Sequence, residues 1–202
     1  PGMVRLRLTS RGKRNDDLQA EVDAATGVLR KALGDALMDG SSKPIERYVG
    51  ILLQEKGLTV GTAESCTGGG IAAALVNVPG SSAYFEGGLV AYSYGIKETL
   101  LGVNHATIVE KGAVSEEVVR QMSEAARKNL GVDFAVAVSG IAGPGGGTPD
   151  KPVGTSWISI AGPERTIAEK FVFGKVRERN IQKTIFAALN LLVKEVEDYP
   201  VS

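Results

Sequence analysis

The run Leu58-Thr59-Val60-Gly61-Thr62-Ala63-Glu64-Ser65-Cys66-Thr67-Gly68-Gly69-Gly70-Ile71-Ala72-Ala73-Ala74-Leu75-Val76 changes its hydrophobic period from strand-like to helix-like within a few residues. Leu58 and Val60 alternate with polar or small residues, which predicts a strand over 58–63. The apolar stretch after the three glycines predicts a helix over 67–77. Ser65 falls at the change, where a nucleophile would stand. Glycines there let a ligand approach the backbone, and the unpaired N–H groups of a helix start favour an anion or a developing oxyanion. Thr67 and Gly68 are the candidate donors. A serine ahead of a helix is ordinarily its N-cap, so position alone leaves the catalytic reading open.

Outward from this unit, the pattern continues as alternating strands and helices. A helix over Ile45, Val49, Leu52 and Leu53 precedes it. A strand (87–93), short helices (96–101 and 104–111), a helix (115–130) and a strand (133–139) follow. A glycine loop, two strands (154–161 and 166–173) and a last helix (177–197) complete the chain. Such alternation, ending in an antiparallel strand pair, implies a three-layer α/β/α domain with a mixed β-sheet. At the front, Val4, Leu6 and Leu8 alternate with polar residues, and Leu18, Val22, Ala25, Leu29 and Leu33 share one helical face. Together they read as a short β-α segment. Asp39-Gly40-Ser41-Ser42-Lys43-Pro44 is a linker by its turn residues, which puts a boundary near residue 41 and a second domain over 42–202.

Composition narrows the classes. The 202 residues suffice for one well-buried core. Acidic and basic residues balance at 23 each, so no global field favours a polyanion, and direct nucleic-acid binding is not expected. The single cysteine forms no intramolecular disulfide, no Cys/His/Asp cluster suggests a metal, and no apolar stretch reaches membrane-spanning length. A cytoplasmic protein with no cofactor or metal is the expectation. The chain opens Pro1-Gly2, with its first Met at position 3, and reads as a fragment or a processed chain.

A serine needs a base, and the only histidine, His105, lies in an ordinary Val-Asn-His-Ala-Thr turn, which argues against a Ser-His-Asp arrangement. A lysine serves if burial lowers its pKa. Lys97 is the candidate, because it follows the strand end at Tyr92 and the break at Gly95. The bland alternative is a core-edge tyrosine and a solvated lysine. Cys66 is intrinsically the better nucleophile, yet a lone buried cysteine is more often a small hydrophobe. The loop Ser139-Gly140-Ile141-Ala142-Gly143-Pro144 follows an apolar strand, where open sheets commonly bind ligands, and with Ser65 it forms the second wall of one pocket. Lys175, Arg177 and Arg179 precede or open the last helix and offer positive charge to a phosphate. Trp157 reads as core.

These blocks also carry a resemblance. Thr62-Ala63-Glu64-Ser65-Cys66-Thr67-Gly68-Gly69, Pro79-Gly80-Ser81-Ser82 with Tyr84-Phe85-Glu86-Gly87-Gly88, and Val90-Ala91-Tyr92-Ser93 with Lys97 stand in order. Gly112-Ala113-Val114-Ser115 and Ser139 to Pro144 with Lys151-Pro152-Val153-Gly154-Thr155 follow. Together they resemble the C-terminal domain of the competence/damage-inducible protein CinA, the nicotinamide mononucleotide (NMN) deamidase family. The resemblance implies hydrolysis of NMN to nicotinate mononucleotide and ammonia, with Ser65 as nucleophile and Tyr92 and Lys97 as its partners. It implies substrate contacts at Thr67, Gly68, Gly69, Ser139, Gly140, Gly143 and Arg177. Arg177 matches a family arginine, but the aspartate common just before it is replaced by Val176. Residues 1–41 resemble the end of the KH-like domain that precedes the deamidase domain in full-length CinA proteins. A homo-oligomer is compatible with the family. The alternative is a non-catalytic nucleotide-binding or protein-interaction domain linked to competence and the DNA-damage response.

Overall fold

The computed structural model describes residues 6–34 and 43–200, which fall into two compact units meeting in sequence at Pro44 and Ile45. In the first, helix α1 (Asn15–Leu33) ends at Gly34 in a positive-φ conformation. Leu18, Val22, Ala25 and Leu29 of its apolar stripe are half-buried, and Leu33 is exposed. The strand expected over 3–8 is not formed in its described part: Leu6, Arg7 and Leu8 belong to no strand, and residues 3–5 lie outside the described residues. Alternation yields a strand only where a neighbour completes its hydrogen bonds, and no described residue does so here.

From Ile45 on, the elements are α2 (Ile45–Lys56), β1 (Val60–Glu64), α3 (Gly70–Val76), β2 (Phe85–Val90), α4 (Tyr94–Leu101), α5 (His105–Lys111) and α6 (Glu116–Leu130). β3 (Phe134–Gly140), β4 (Thr155–Ala161), β5 (Thr166–Val172) and α7 (Arg177–Asp198) follow. The sheet order is β2-β1-β3-β4-β5, with β2, β1 and β3 parallel and β4 and β5 antiparallel. Helices α2, α3 and α7 cover one face; α6, flanked by α4 and α5, covers the other. The chain is thus the three-layer mixed α/β/α domain that its pattern predicts.

The central strand shows why both faces need helices. Phe134 to Ser139 are all buried. Ala135 and Ala137 pack with Val118, Val119, Met122 and Ala126 of α6. Val136 and Val138 alternate to the opposite face, the layer of the buried α7 residues Leu189 and Leu192. Truncating such a leucine to alanine costs about 2–5 kcal/mol.

Helix α3 begins three residues later than its hydrophobic period suggests. Gly69 has φ 96°, a left-handed conformation that side chains disfavour, so the chain turns there before the helix can start. Because β1, β2 and β3 are parallel, their carboxyl ends share one edge of the sheet. β1 delivers Ser65 there, β2 delivers Ala91 and Tyr92, and β3 delivers the glycine loop. That edge is where open α/β sheets hold ligands.

Candidate active site

Ser93 caps α4, its hydroxyl accepting the Ile96 N–H at 3.3 Å. Lys97 stands one turn further on, and a long helical side chain leans back towards the helix start. Its amine therefore returns to the end of β2. Nζ donates to the carbonyls of Ala91 at 2.6 Å and Tyr92 at 3.1 Å, and lies 2.9 Å from Ser65 Oγ. Lys97 is 1% exposed. Burial lowers its pKa from 10.5 to about 8, with the charge of Cys66 acting in the opposite direction. Two directions of the amine are thus fixed by carbonyls. In the neutral form both N–H bonds stay on those carbonyls and the lone pair faces Ser65 Oγ.

The turn carrying Ser65 is built around Glu64, which sequence reasoning passed over. This carboxylate is fully buried. Its Oε2 accepts from Thr67 Oγ1 at 2.6 Å, Gly69 N at 3.1 Å and Ile71 N at 3.0 Å, and its Oε1 from Ala72 N at 2.8 Å. Part of the expected donor set is thereby engaged within the chain. The Gly69 N–H and the Thr67 hydroxyl serve Glu64, and the Gly68 N–H binds the Ser65 carbonyl. The Thr67 N–H has no acceptor among the described residues, and the Cys66 N–H meets its own sulfur. A missing cap was the available signal: Gly69 offers no side chain to the orphan N–H groups of α3, so an acceptor had to come from elsewhere.

The opposite wall is the loop after β3. At Gly140 an added Cβ would stand 2.6 Å from Ser156 Oγ, 2.9 Å from the Thr155 carbonyl and 3.0 Å from Cys66 Sγ, so only glycine fits. The Ser139 hydroxyl donates to the Ala113 carbonyl at 2.7 Å. Gly143 is held by Arg177, whose Nη1 donates to its carbonyl at 2.9 Å. Asn180, also unanticipated, donates from Nδ2 to Ala142 O and Gly174 O, both at 2.9 Å, and accepts from Gly174 N at 3.0 Å. Its signal was a polar residue on the buried stripe shared with Thr184, Ala188 and Leu192.

Tyr92, an expected partner of Ser65, meets Lys97 through its main chain. Its side chain is 60% exposed, and its hydroxyl accepts from Arg177 Nη2 at 3.4 Å; Lys97 meets its carbonyl instead. The strand expected to carry Tyr92 inward to residue 93 stops at Val90. Ser65, Tyr92, Lys97, Ser139, Gly140 and Arg177 line one cavity of about 270 Å³. Lys175 and Arg179 are exposed and are not among its lining residues. Burial pushes the Cys66 thiol up to about 11, which keeps it protonated near neutrality. His105 sits at the exposed start of α5, Nδ1 2.8 Å from Glu98 Oε1.

A serine–lysine pair at the carboxyl edge of a mixed three-layer sheet defines the class, and comparison with known proteins defines the family. The CinA C-terminal domain family model matches residues 42–196, and the chain belongs to that family. A CinA-like protein of Cytophaga hutchinsonii is 40% identical over 197 residues, 98% of this chain and 47% of that protein. A CinA-like protein of Prochlorococcus marinus is 45% identical over 178 residues, 88% of this chain and 42% of its own length. The chain thus spans about half the length of these curated relatives. Among solved structures, the competence damage-inducible protein A of Klebsiella pneumoniae superposes with TM-score 0.75 at 34% identity, covering 77% of this chain and 97% of that one. The competence/damage inducible protein CihA of Agrobacterium tumefaciens gives 0.72 at 34% identity, covering 79% and 99%. Among the described residues no helix is long and apolar enough to cross a membrane.

Proposed function

We propose that the chain is an amidohydrolase that converts NMN to nicotinate mononucleotide and ammonia. The observation that carries this reading is the buried Lys97 amine, 2.9 Å from Ser65 Oγ. Ser65 Oγ attacks the amide carbon as Lys97 accepts its proton. Negative charge gathers on the former carbonyl oxygen, and the open N–H group of Thr67 is the donor assigned to it. Lys97 then gives the proton to the departing nitrogen, the C–N bond breaks, and ammonia leaves an ester on Ser65. Water, deprotonated by the same amine, opens that ester and restores the hydroxyl. Tyr92 orients Lys97 through its main-chain carbonyl, and Arg177 binds the phosphate at the mouth of the cavity.

The identity of the substrate rests on the family resemblance, as does the assignment of residues 1–41 to the end of a KH-like domain. The test is to incubate the purified chain with NMN and follow ammonia and nicotinate mononucleotide together. A folded chain that releases neither removes the amidase reading. The competence and damage names of the relatives support a second reading, an interaction or nucleotide-binding domain in those responses, which NMN binding without turnover would favour.

A further inference from the structure

From Ser65 to Ala73, each main-chain N–H except that of Thr67 has an acceptor among the described residues, that of Cys66 being its own sulfur. Three of those acceptor contacts, at Gly69, Ile71 and Ala72, are made by the Glu64 carboxylate. Its fourth contact is the Thr67 hydroxyl, inside the turn itself. The main chain of Glu64 reaches the other partner as well: its carbonyl accepts the Ala91 N–H at 2.8 Å, and the Ala91 carbonyl accepts Lys97 Nζ at 2.6 Å. One residue therefore ties the serine turn to the helix behind it and to the residue that aims the amine.

We infer that Glu64 is a positioning residue: it locks the turn that holds Ser65 Oγ opposite Lys97 and leaves the Thr67 N–H group uncommitted. The inference rests on the reading of Ser65 as nucleophile. Chemistry selects a carboxylate here, because every contact of the group is a donor. Glutamine has one acceptor oxygen, and its NH₂ would point at N–H or O–H donors. Relaxing that clash moves the turn, and displacement of a reacting group by about 1 Å can cost about 10²-fold in rate.

The test is Glu64→Gln, with Thr67→Val as the milder variant that deletes one of the four contacts. Each is followed in two ways, by kcat and KM for NMN and by labelling with a fluorophosphonate. In labelling, Ser65 Oγ bonds to phosphorus, the P–F bond breaks, fluoride leaves and the serine proton passes to Lys97. Glu64→Gln should lower kcat and the labelling rate together by about 10²-fold, with KM and the position of the ascending pH limb unchanged. Thr67→Val should lower both by a smaller factor while melting cooperatively. Wild-type labelling rates in both variants overturn the inference, as does a rise in KM with kcat intact. If Glu64→Gln fails to fold, a wild-type rate in Thr67→Val overturns it alone. A wild-type chain that labels at Ser65 but leaves NMN intact removes the amidase reading and keeps this one. One that does neither removes both.

Discussion

The two walls of the cavity are held by opposite means. The Ser65 turn is fixed from within, by a carboxylate one residue away in sequence that gathers the donors of the following helix start. The glycine loop after β3 is fixed from outside, by Arg177 and Asn180 of α7, whose contacts reach Gly143 and Ala142 across 34 and 38 residues. The first arrangement makes the nucleophile's geometry a local property. The second leaves the substrate-facing wall adjustable through a distant helix. Chemistry and recognition are therefore expected to fail separately under mutation.

The largest effects belong to the local wall. Ser65→Ala should lower turnover by about 10³-fold or more while the melting temperature holds, because one buried hydroxyl contributes only about 1 kcal/mol. Steady-state kinetics beside thermal melting checks both. Lys97→Arg follows, with a loss of about 10²–10⁴-fold, since guanidinium stays protonated and cannot act as the base. In the wild type, activity should rise with pH and level off above about 8, as burial lowers the amine to that value. Substantial turnover by Lys97→Arg would remove the base role.

The same burial predicts a signature in stability. Between about 8 and 10.5 the unfolded lysine holds a proton that the folded one has released. Stability should therefore rise with pH across that window, by on the order of 3 kcal/mol, and below it the full cost of the buried cation is present. Urea unfolding of wild type and Lys97→Met at pH 7 and pH 10 isolates the term. A difference between the two that does not change with pH would show that the folded amine keeps its proton to as high a pH as the unfolded one, and would remove the base role.

The contrast between the walls also explains what the sequence could tell. Element order from Ile45 onward was legible because each strand and helix follows its own period, and Ser65 and Lys97 stood out at a strand end and a helix start. Glu64 was hidden because an acid closing a strand looks like any polar strand terminus; only an account of the α3 N–H groups exposes it. Asn180 was hidden for a different reason. Its partners lie in a loop that becomes its neighbour only when α7 packs on the sheet. Tyr92 was legible as a residue but not by atom: its carbonyl meets the amine, and its phenol meets Arg177. At the front, Leu6 and Leu8 keep a strand's alternation without a partner strand among the described residues.

A change in the distant wall should act on binding first. Arg177→Ala is expected to raise KM for NMN by about 10–100-fold, the equivalent of one or two charge-assisted hydrogen bonds, with kcat little changed. Nicotinamide riboside, which lacks the phosphate, should be nearly indifferent. Equal losses on both substrates would mean that Arg177 acts through its bond to the Gly143 carbonyl, and that the phosphate is held elsewhere.

The smallest effect is expected where the walls touch. Cys66 is buried beside the nucleophile, and its sulfur lies against Gly140 of the opposite loop. Burial pushes its thiol up to about 11, so it carries no nucleophilic thiolate near neutrality, and its packing is what remains to lose. Cys66→Ala leaves the main-chain N–H in place and removes one sulfur, so stability should fall by about 1 kcal/mol and turnover should stay within about threefold. Cys66→Val is the sharper probe, because a branched side chain presses on a strand end that has no room for a methyl group. If the walls are independent, it raises KM and leaves the labelling rate of Ser65 unchanged. A loss of labelling in Cys66→Val with Cys66→Ala normal would show that the loop after β3 bears on the nucleophile through this contact, and that the separation of chemistry from recognition is incomplete.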